Sequence, residues 1–422
     1  MRSIPQPKIR TVNVLELPAY ASFGLANGME VHALAGGTEP VLKMEIVFRA
    51  GASYEARPGA AEVTAALMAE GTARLSSAAL AEEMEYVGAT LQTRGGVDTI
   101  RVRLWTLTRF FPQLIKLVGD LVREPAFDPG ELSVYTNNKV ERLQIDLKKN
   151  EVLGYRHLTE AIYGPTHPYG RNLFPEDYRA LAREDLLRHH AANIRPERAM
   201  VFLSGHFGTR EIDLLRDVFE SWSPAAAEGS PPPAFQTLSQ FGRIDIDGPQ
   251  KHQAAIRIGR RLFPESHPDF NGLYVLNTVL GGAFGSRLMT EIRENQGLTY
   301  GIYSSVDSFA QDGCFYVSTE TTTDQVDRML VAIQTEMTRL RQDLIPADEL
   351  TMARNYLMGH LMTQIDGPIA TMDYIKTMKV EGLADHHFAG MVDTIRTITP
   401  ERLRELAAQY LAPEQWVTLV VR

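Results

Sequence analysis

Residues 281–305 read GGAFGSRLMTEIRENQGLTYGIYSS. Ser286–Asn295 predicts a helix, and Gly297, just past its end, is a stop signal. Leu298–Ser305 then predicts a strand. On this reading Arg293 sits in the last helical turn, and Tyr300 lies seven residues on, in the strand. Gly281, Gly282 and Gly285 form a glycine-rich turn ahead of the helix. A phosphate loop is a poor match, because no Lys-Ser/Thr follows and no strand-turn-helix unit with a later ribose-binding acid is present.

Outward from this stretch, residues 294–350 run through a glycine, a strand, a turn, a strand, an amphipathic helix and a proline-containing turn into an acidic helix start. Residues 85–132 repeat that order, with Gly88 matching Gly297 and Asp128–Leu132 matching Pro346–Leu350. A single repeat at this period implies a duplicated domain, not a solenoid. Val41–Arg49 and Thr99–Thr106 alternate as strands do, and Asn27-Gly28 marks a hairpin turn. Leu114, Leu117, Val118, Leu121 and Val122 recur at helical spacing, as do Val326, Met329, Leu330, Ile333 and Met337. Glu131–Lys149 predicts a long polar-faced helix. Ala199–Gly205 and Trp416–Val421 predict the closing strands of the two halves.

The run Ser223–Pro233, SPAAAEGSPPP, has the composition of a stiff linker and divides the chain near its middle. A length of 422 residues suits two domains, and 44% apolar with 23% charged residues is ordinary globular composition. The net charge of −9 argues against nucleic acid as a partner. No apolar run is long enough to span a bilayer, and the N-terminal residues show no signal-peptide core. The compartment is therefore open between cytoplasm and a leader-dependent periplasmic location. Cys314, the single cysteine, excludes an internal disulfide and any cysteine-based zinc site, and its strand context predicts a core position.

Residues 59–72 read GAAEVTAALMAEGT. Together with 281–305, this frame resembles the zinc peptidases built like pitrilysin and the mitochondrial processing peptidase, the inverzincins, whose helix carries H-x-x-E-H. In those peptidases two histidines four residues apart bind zinc from one helix face, the glutamate between them is general base, and a distant glutamate is the third protein ligand. Here Glu62, Ala65 and Ala66 stand at the three motif positions, and the distal position aligns with Gln144 or with the nearby Glu141. Alanine offers no lone pair, and two carboxylates without imidazole make a poor zinc site. Residues 60–70 therefore predict a packing helix, with no metal site in this chain. The histidines supply no substitute: His189-His190 and His386-His387 are adjacent, so each pair points about 100° apart on a helix.

The resemblance implies an α+β fold of two homologous domains, 1–222 and 234–422, each a mainly antiparallel sheet flanked by helices. It implies that Arg293 holds substrate, that Tyr300 offers its phenol to a tetrahedral oxyanion, and that Gly281 and Gly282 lie near the substrate chamber. Outside that frame, an arginine in a last turn complements the helix dipole and a strand tyrosine is commonly half-core. The function implied is that of the non-catalytic subunit of a heterodimeric zinc peptidase acting on peptides. The cofactor, zinc, is then expected only in the H-x-x-E-H partner. A peptide-binding or assembly protein without proteolytic role is the alternative. A metal-independent enzyme finds no support, since no G-x-S-x-G or similar motif is present.

Overall fold

The computed structural model describes residues 15–223, 235 and 237–422; the predicted linker falls outside the described residues except for Ser223. Two sheets organise the chain. The first contains β1 (Ala21–Gly24), β2 (Glu30–Ala35), β3 (Val41–Phe48), β4 (Thr90–Gly95), β5 (Ile100–Leu107) and β6 (Ala199–Gly205) in the order β1-β2-β6-β3-β5-β4. The second contains β7 (Gly242–Ile246), β8 (Gln253–Leu262), β9 (Ile302–Ser308), β10 (Gly313–Thr322) and β11 (Val417–Val421) in the order β7-β11-β8-β10-β9.

The duplication predicted from sequence is explicit in this topology. β2 pairs parallel with β6, and β7 pairs parallel with β11. The β6-β3-β5-β4 ladder and the β11-β8-β10-β9 ladder are both antiparallel throughout. Strand β1 is an addition to the first sheet, closed onto β2 by the Asn27-Gly28 turn, where Gly28 takes φ 89°. Gly88 and Gly297 each adopt positive φ, 64° and 63°, at the same point of the repeat. Both end a helix ahead of a sheet-edge strand, where a left-handed residue favours glycine.

Each sheet buries one face against helices of its own half. The apolar face of β3 and β5, with Met44, Ile46, Val102 and Leu104, packs on Leu114, Ile115, Val118 and Leu121 of helix Phe111–Arg123. In the second half, Ile256, Phe315 and Val317 meet Met329, Ile333 and Leu340 of helix Val326–Gln342.

The other face of each sheet accepts a helix from the opposite half. Helix Asn150–Tyr163 lies on β8 and β11. Gly154 there leaves room for Arg257, whose Cγ would stand 3.2 Å from an added Cβ, and Leu158 fills the space over Gly259. In return, Met372 and Ile375 of helix Gly367–Val380 pack on Leu34, Val47, Met200 and Phe202 of the first sheet. Beside that contact Glu45 accepts from Lys376 at 2.9 Å and from Arg103 at 3.1 Å, while Lys43 donates to Asp373 at 2.5 Å.

Candidate functional site

Helix Ala60–Met68 carries the degenerate motif. Its first residues follow Gly59, at φ 86°, and have no cap from their own side chains. The carboxylate of Glu55 takes over, accepting from Gly59 N at 3.0 Å and Ala61 N at 2.8 Å, and is held in turn by Arg171. The helix lies close on edge strand β4, because a Cβ on Gly95 would come within 2.8 Å of the Glu62 Cα. Ala65 is fully buried in the core, as expected of a packing helix.

Glu62 is engaged by protein groups. Lys139 forms an ion pair with it, Tyr178 donates its hydroxyl at 2.8 Å and Tyr135 donates at 3.3 Å. Burial, reinforced by the Glu62 carboxylate, raises both phenols well above their ordinary range, so they remain donors. An ammonium and two phenols thus surround the carboxylate at the position where the resemblance places the first metal-binding histidine. Glu141 and Gln144 are exposed, and neither joins this group. The sequence carried the signal: in helix Pro129–Asp146, buried Leu132 and Val140 fix the inner face, which puts Tyr135 and Lys139 toward Glu62. Among the described residues no group of three His, Cys, Asp or Glu side chains is placed to hold a metal ion. With alanine at 65 and 66 and Glu62 paired with Lys139, this helix presents one engaged carboxylate and no imidazole, a donor set that does not fit zinc. His189 and His190 are engaged with backbone: His189 Nε2 bonds the Ala50 carbonyl and His190 Nε2 the Val122 carbonyl, each at 2.8 Å.

The second-half stretch departs from its sequence reading in two ways. The predicted helix Ser286–Asn295 is mostly a π-helix, Met289–Asn295, and a second π-helical segment, Thr278–Gly282, precedes it. Wide turns of this kind leave no 3.6-residue signature to read, and they recur at functional sites. The predicted strand starts later, at Ile302, so Tyr300 is not a strand residue. It stands instead in a loop, fully exposed at 101%, which overturns both the strand placement and the half-core reading. The reason lies in the hydroxyls of β10. Thr321 Oγ1 donates to the Leu298 carbonyl at 2.8 Å and Thr319 Oγ1 to the Gly301 carbonyl at 2.9 Å, satisfying backbone that would otherwise enter the ladder.

Arg293 lies in the last turn as predicted, its guanidinium 5.0 Å from the centre of the Phe284 ring. Among the described residues it has no ion-pair partner. Arg293 and Tyr300 share a cleft of about 530 Å³, with His252, Gln253 and Glu320 on its other walls. Gly281 and Gly282 are not in that lining. An added Cβ on Gly281 would meet the Ser304 amide nitrogen at 2.6 Å, and one on Gly282 the Asn277 amide at 2.8 Å, so packing against β9 and the preceding helix accounts for both. Cys314 is buried in β10, and burial raises its thiol to about 12, which suits the predicted core role. No helix among the described residues is long and apolar enough to cross a membrane.

Residues 180–357 match the model of the peptidase M16 inactive domain. An uncharacterized zinc protease of Bacillus subtilis (strain 168), YmxG, is 23% identical over 83% of this chain and 85% of its own length. Cytochrome b-c1 complex subunit 1 of Rattus norvegicus is 22% identical over 92% of this chain and 82% of its own. The crystal structure of a peptidase M16 inactive domain from Pseudomonas fluorescens superposes with a TM-score of 0.84 at 21% identity, covering 95% of this chain and 98% of that one.

Proposed function

Because residues 180–357 match the peptidase M16 inactive domain, and the chain is similar over most of its length to zinc protease relatives and to a solved M16 inactive domain, we propose that it is the non-catalytic subunit of a heterodimeric zinc peptidase. The observation that carries the reading is the contrast between its two sites. The motif helix is neutralised internally by Lys139, Tyr135 and Tyr178. Arg293 and Tyr300 face one open cleft with their polar ends unused. A guanidinium presents a fixed fork of donors to carbonyl or carboxylate oxygens. A phenol with no internal acceptor can donate to an oxyanion that develops on a peptide carbonyl. Tyr300 is held ready for that on a loop fixed by Thr319 and Thr321. Zinc and the general base belong to an H-x-x-E-H homologue of similar length, and the substrate is a peptide bound between the two chains.

The test is co-expression with such a homologue and kinetic assay of the purified pair. A stable complex that cleaves peptides faster than either chain alone is expected. Tyr300→Phe should leave the complex intact and lower kcat by about 10²–10³. A kcat within twofold of wild type would remove Tyr300 from the chemistry. Failure of the two chains to associate would favour the second reading, an assembly protein derived from the peptidase fold. The likeness to a cytochrome b-c1 complex subunit over most of the chain supports that alternative.

A further inference from the structure

A second cleft, of about 530 Å³, opens where the two halves meet. Its floor is the β4–β5 hairpin and its far wall comes from residues 308–311 and 380–382. Arg49, Arg94 and Arg101 all line it, and all three are exposed. Among the described residues none of the three has a carboxylate partner. The only bond made by a side chain of the trio is from Arg101 Nε to Thr99 Oγ1, at 3.3 Å.

Two of them are directly opposed. Arg94 pairs with Arg101 across the antiparallel β4–β5 ladder. Side chains so placed start about 5 Å apart at Cβ, and like charges there destabilise the sheet. Arg101 in turn registers with Val47, so Arg49, two residues further along, continues the same face. Three cations are thus gathered on one sheet face in a protein of net charge −9. The acid nearest to hand is already engaged. Asp98 accepts from Ser53 Oγ at 2.9 Å, Tyr169 Oη at 2.9 Å and Ala310 N at 3.1 Å, tying the halves together instead of serving the arginines. Glu381, the other carboxyl of the cleft, is shifted upward by burial and by the neighbouring Glu265, which favours its neutral form.

The geometry points to an anion-binding site that takes carboxylates of an acidic peptide segment, distinct from the Arg293–Tyr300 cleft and independent of the peptidase reading. Guanidinium forks match carboxylate oxygens two at a time, and concave walls of low dielectric concentrate the positive potential. A bound carboxylate between Arg94 and Arg101 also relieves their repulsion, which gives the site a binding energy that an isolated surface arginine lacks.

The experiment titrates the full-length chain with N-acetylated, C-amidated hexaglutamate, with hexaglutamine as control, at about 0.15 M salt, where screening acts over about 8 Å. Saturable binding of hexaglutamate, none of hexaglutamine, and at least a tenfold weaker Kd for the double variant Arg94→Gln, Arg101→Gln are expected. The variant should melt no lower than wild type, since it removes the repulsion. Arg49→Gln, which leaves the ladder untouched, should weaken binding on its own and covers the case in which the double variant folds poorly. Equal binding of both peptides, or unchanged hexaglutamate affinity in these variants, would overturn the assignment. Inorganic phosphate displacing hexaglutamate at far lower concentration would also overturn it, reassigning the cleft to free phosphate.

Discussion

Replacing Glu45 with alanine should cost this protein about 3–5 kcal/mol of stability, the range for breaking a buried charge pair by removing one partner. The Glu45 side chain is 1% exposed and faces Lys43 and Lys376, 4% and 8% exposed, with Arg103 at the rim. Without it, two buried ammonium groups share one remaining carboxylate, Asp373, which lies 2.5 Å from Lys43 and 2.8 Å from Lys376. The cost is therefore the desolvation of a lysine left without its counter-charge, not the volume removed. A double variant, Glu45→Met with Lys376→Met, separates the two causes. It keeps the Lys43–Asp373 pair and fills the space with apolar atoms, so it should recover most of the loss. Guanidinium unfolding of the three proteins measures this directly. The pH dependence has a fixed sign: burial raises the Glu45 carboxyl, but Lys376, Arg103 and Lys43 together outweigh burial and hold it below its ordinary value. Its contribution is present above the unfolded carboxylate range and is lost as pH falls through the lower, folded value. A single-variant loss under about 1 kcal/mol, or a double variant as unstable as the single, would refute the reasoning.

Three further outcomes follow from the same structure. Ala65→Glu, the change that would return the general base, should destabilise by at least about 3 kcal/mol, because Ala65 is fully buried and no partner awaits a charge there; thermal unfolding would show it, and a neutral result would mean the helix can shift. His189 is held down to about 4 by burial, so stability should be complete above pH 6.5 and fall toward pH 4 by at most about 1.4 kcal/mol per unit. Unfolding curves at a series of pH values should flatten in His189→Gln. Gly281→Ala should cost about 1–3 kcal/mol by forcing β9 away from the π-helical turn, read as a lower melting midpoint.

Much of the fold was legible because duplication left two copies of the same pattern. β6 occupies the span predicted, Ala199–Gly205, and β3 and β11 fall within a residue of it. Gly88 and Gly297 could be matched because a positive φ at a helix end selects glycine whatever surrounds it. What could not be read depended on long-range contact. The π-helical turns have no period of their own, and the loop around Tyr300 is kept out of β9 by hydroxyls of β10, about twenty residues away. Alignment of the distal ligand position singles out Glu141 and Gln144, whereas the buried Leu132 and Val140 orient the helix and turn Lys139 toward Glu62. The exchange of helices between the halves leaves no local trace at all, since the apolar faces of Asn150–Tyr163 and Gly367–Val380 would suit either sheet.

That exchange bears on how the chain keeps its shape. For one half to swing free of the other, Leu158 must leave Gly259, and Met372 and Ile375 must leave Met200 and Phe202. The Glu45–Lys376 pair must part as well. Each separation exposes apolar surface or strands a buried charge, so the halves are bound to one arrangement by contacts far from the motif helix. The motif helix itself is stabilised by Ala65 in the core and by Lys139 against Glu62, neither of which needs a metal. The stability of this helix is therefore separable from any metal binding. Tyr300 is different: full exposure on a braced loop contributes no packing, and no hydrogen bond to its phenol is found among the described residues. Packing therefore gives no reason for tyrosine here, and Tyr300→Phe separates the proposed catalytic role from a purely structural one.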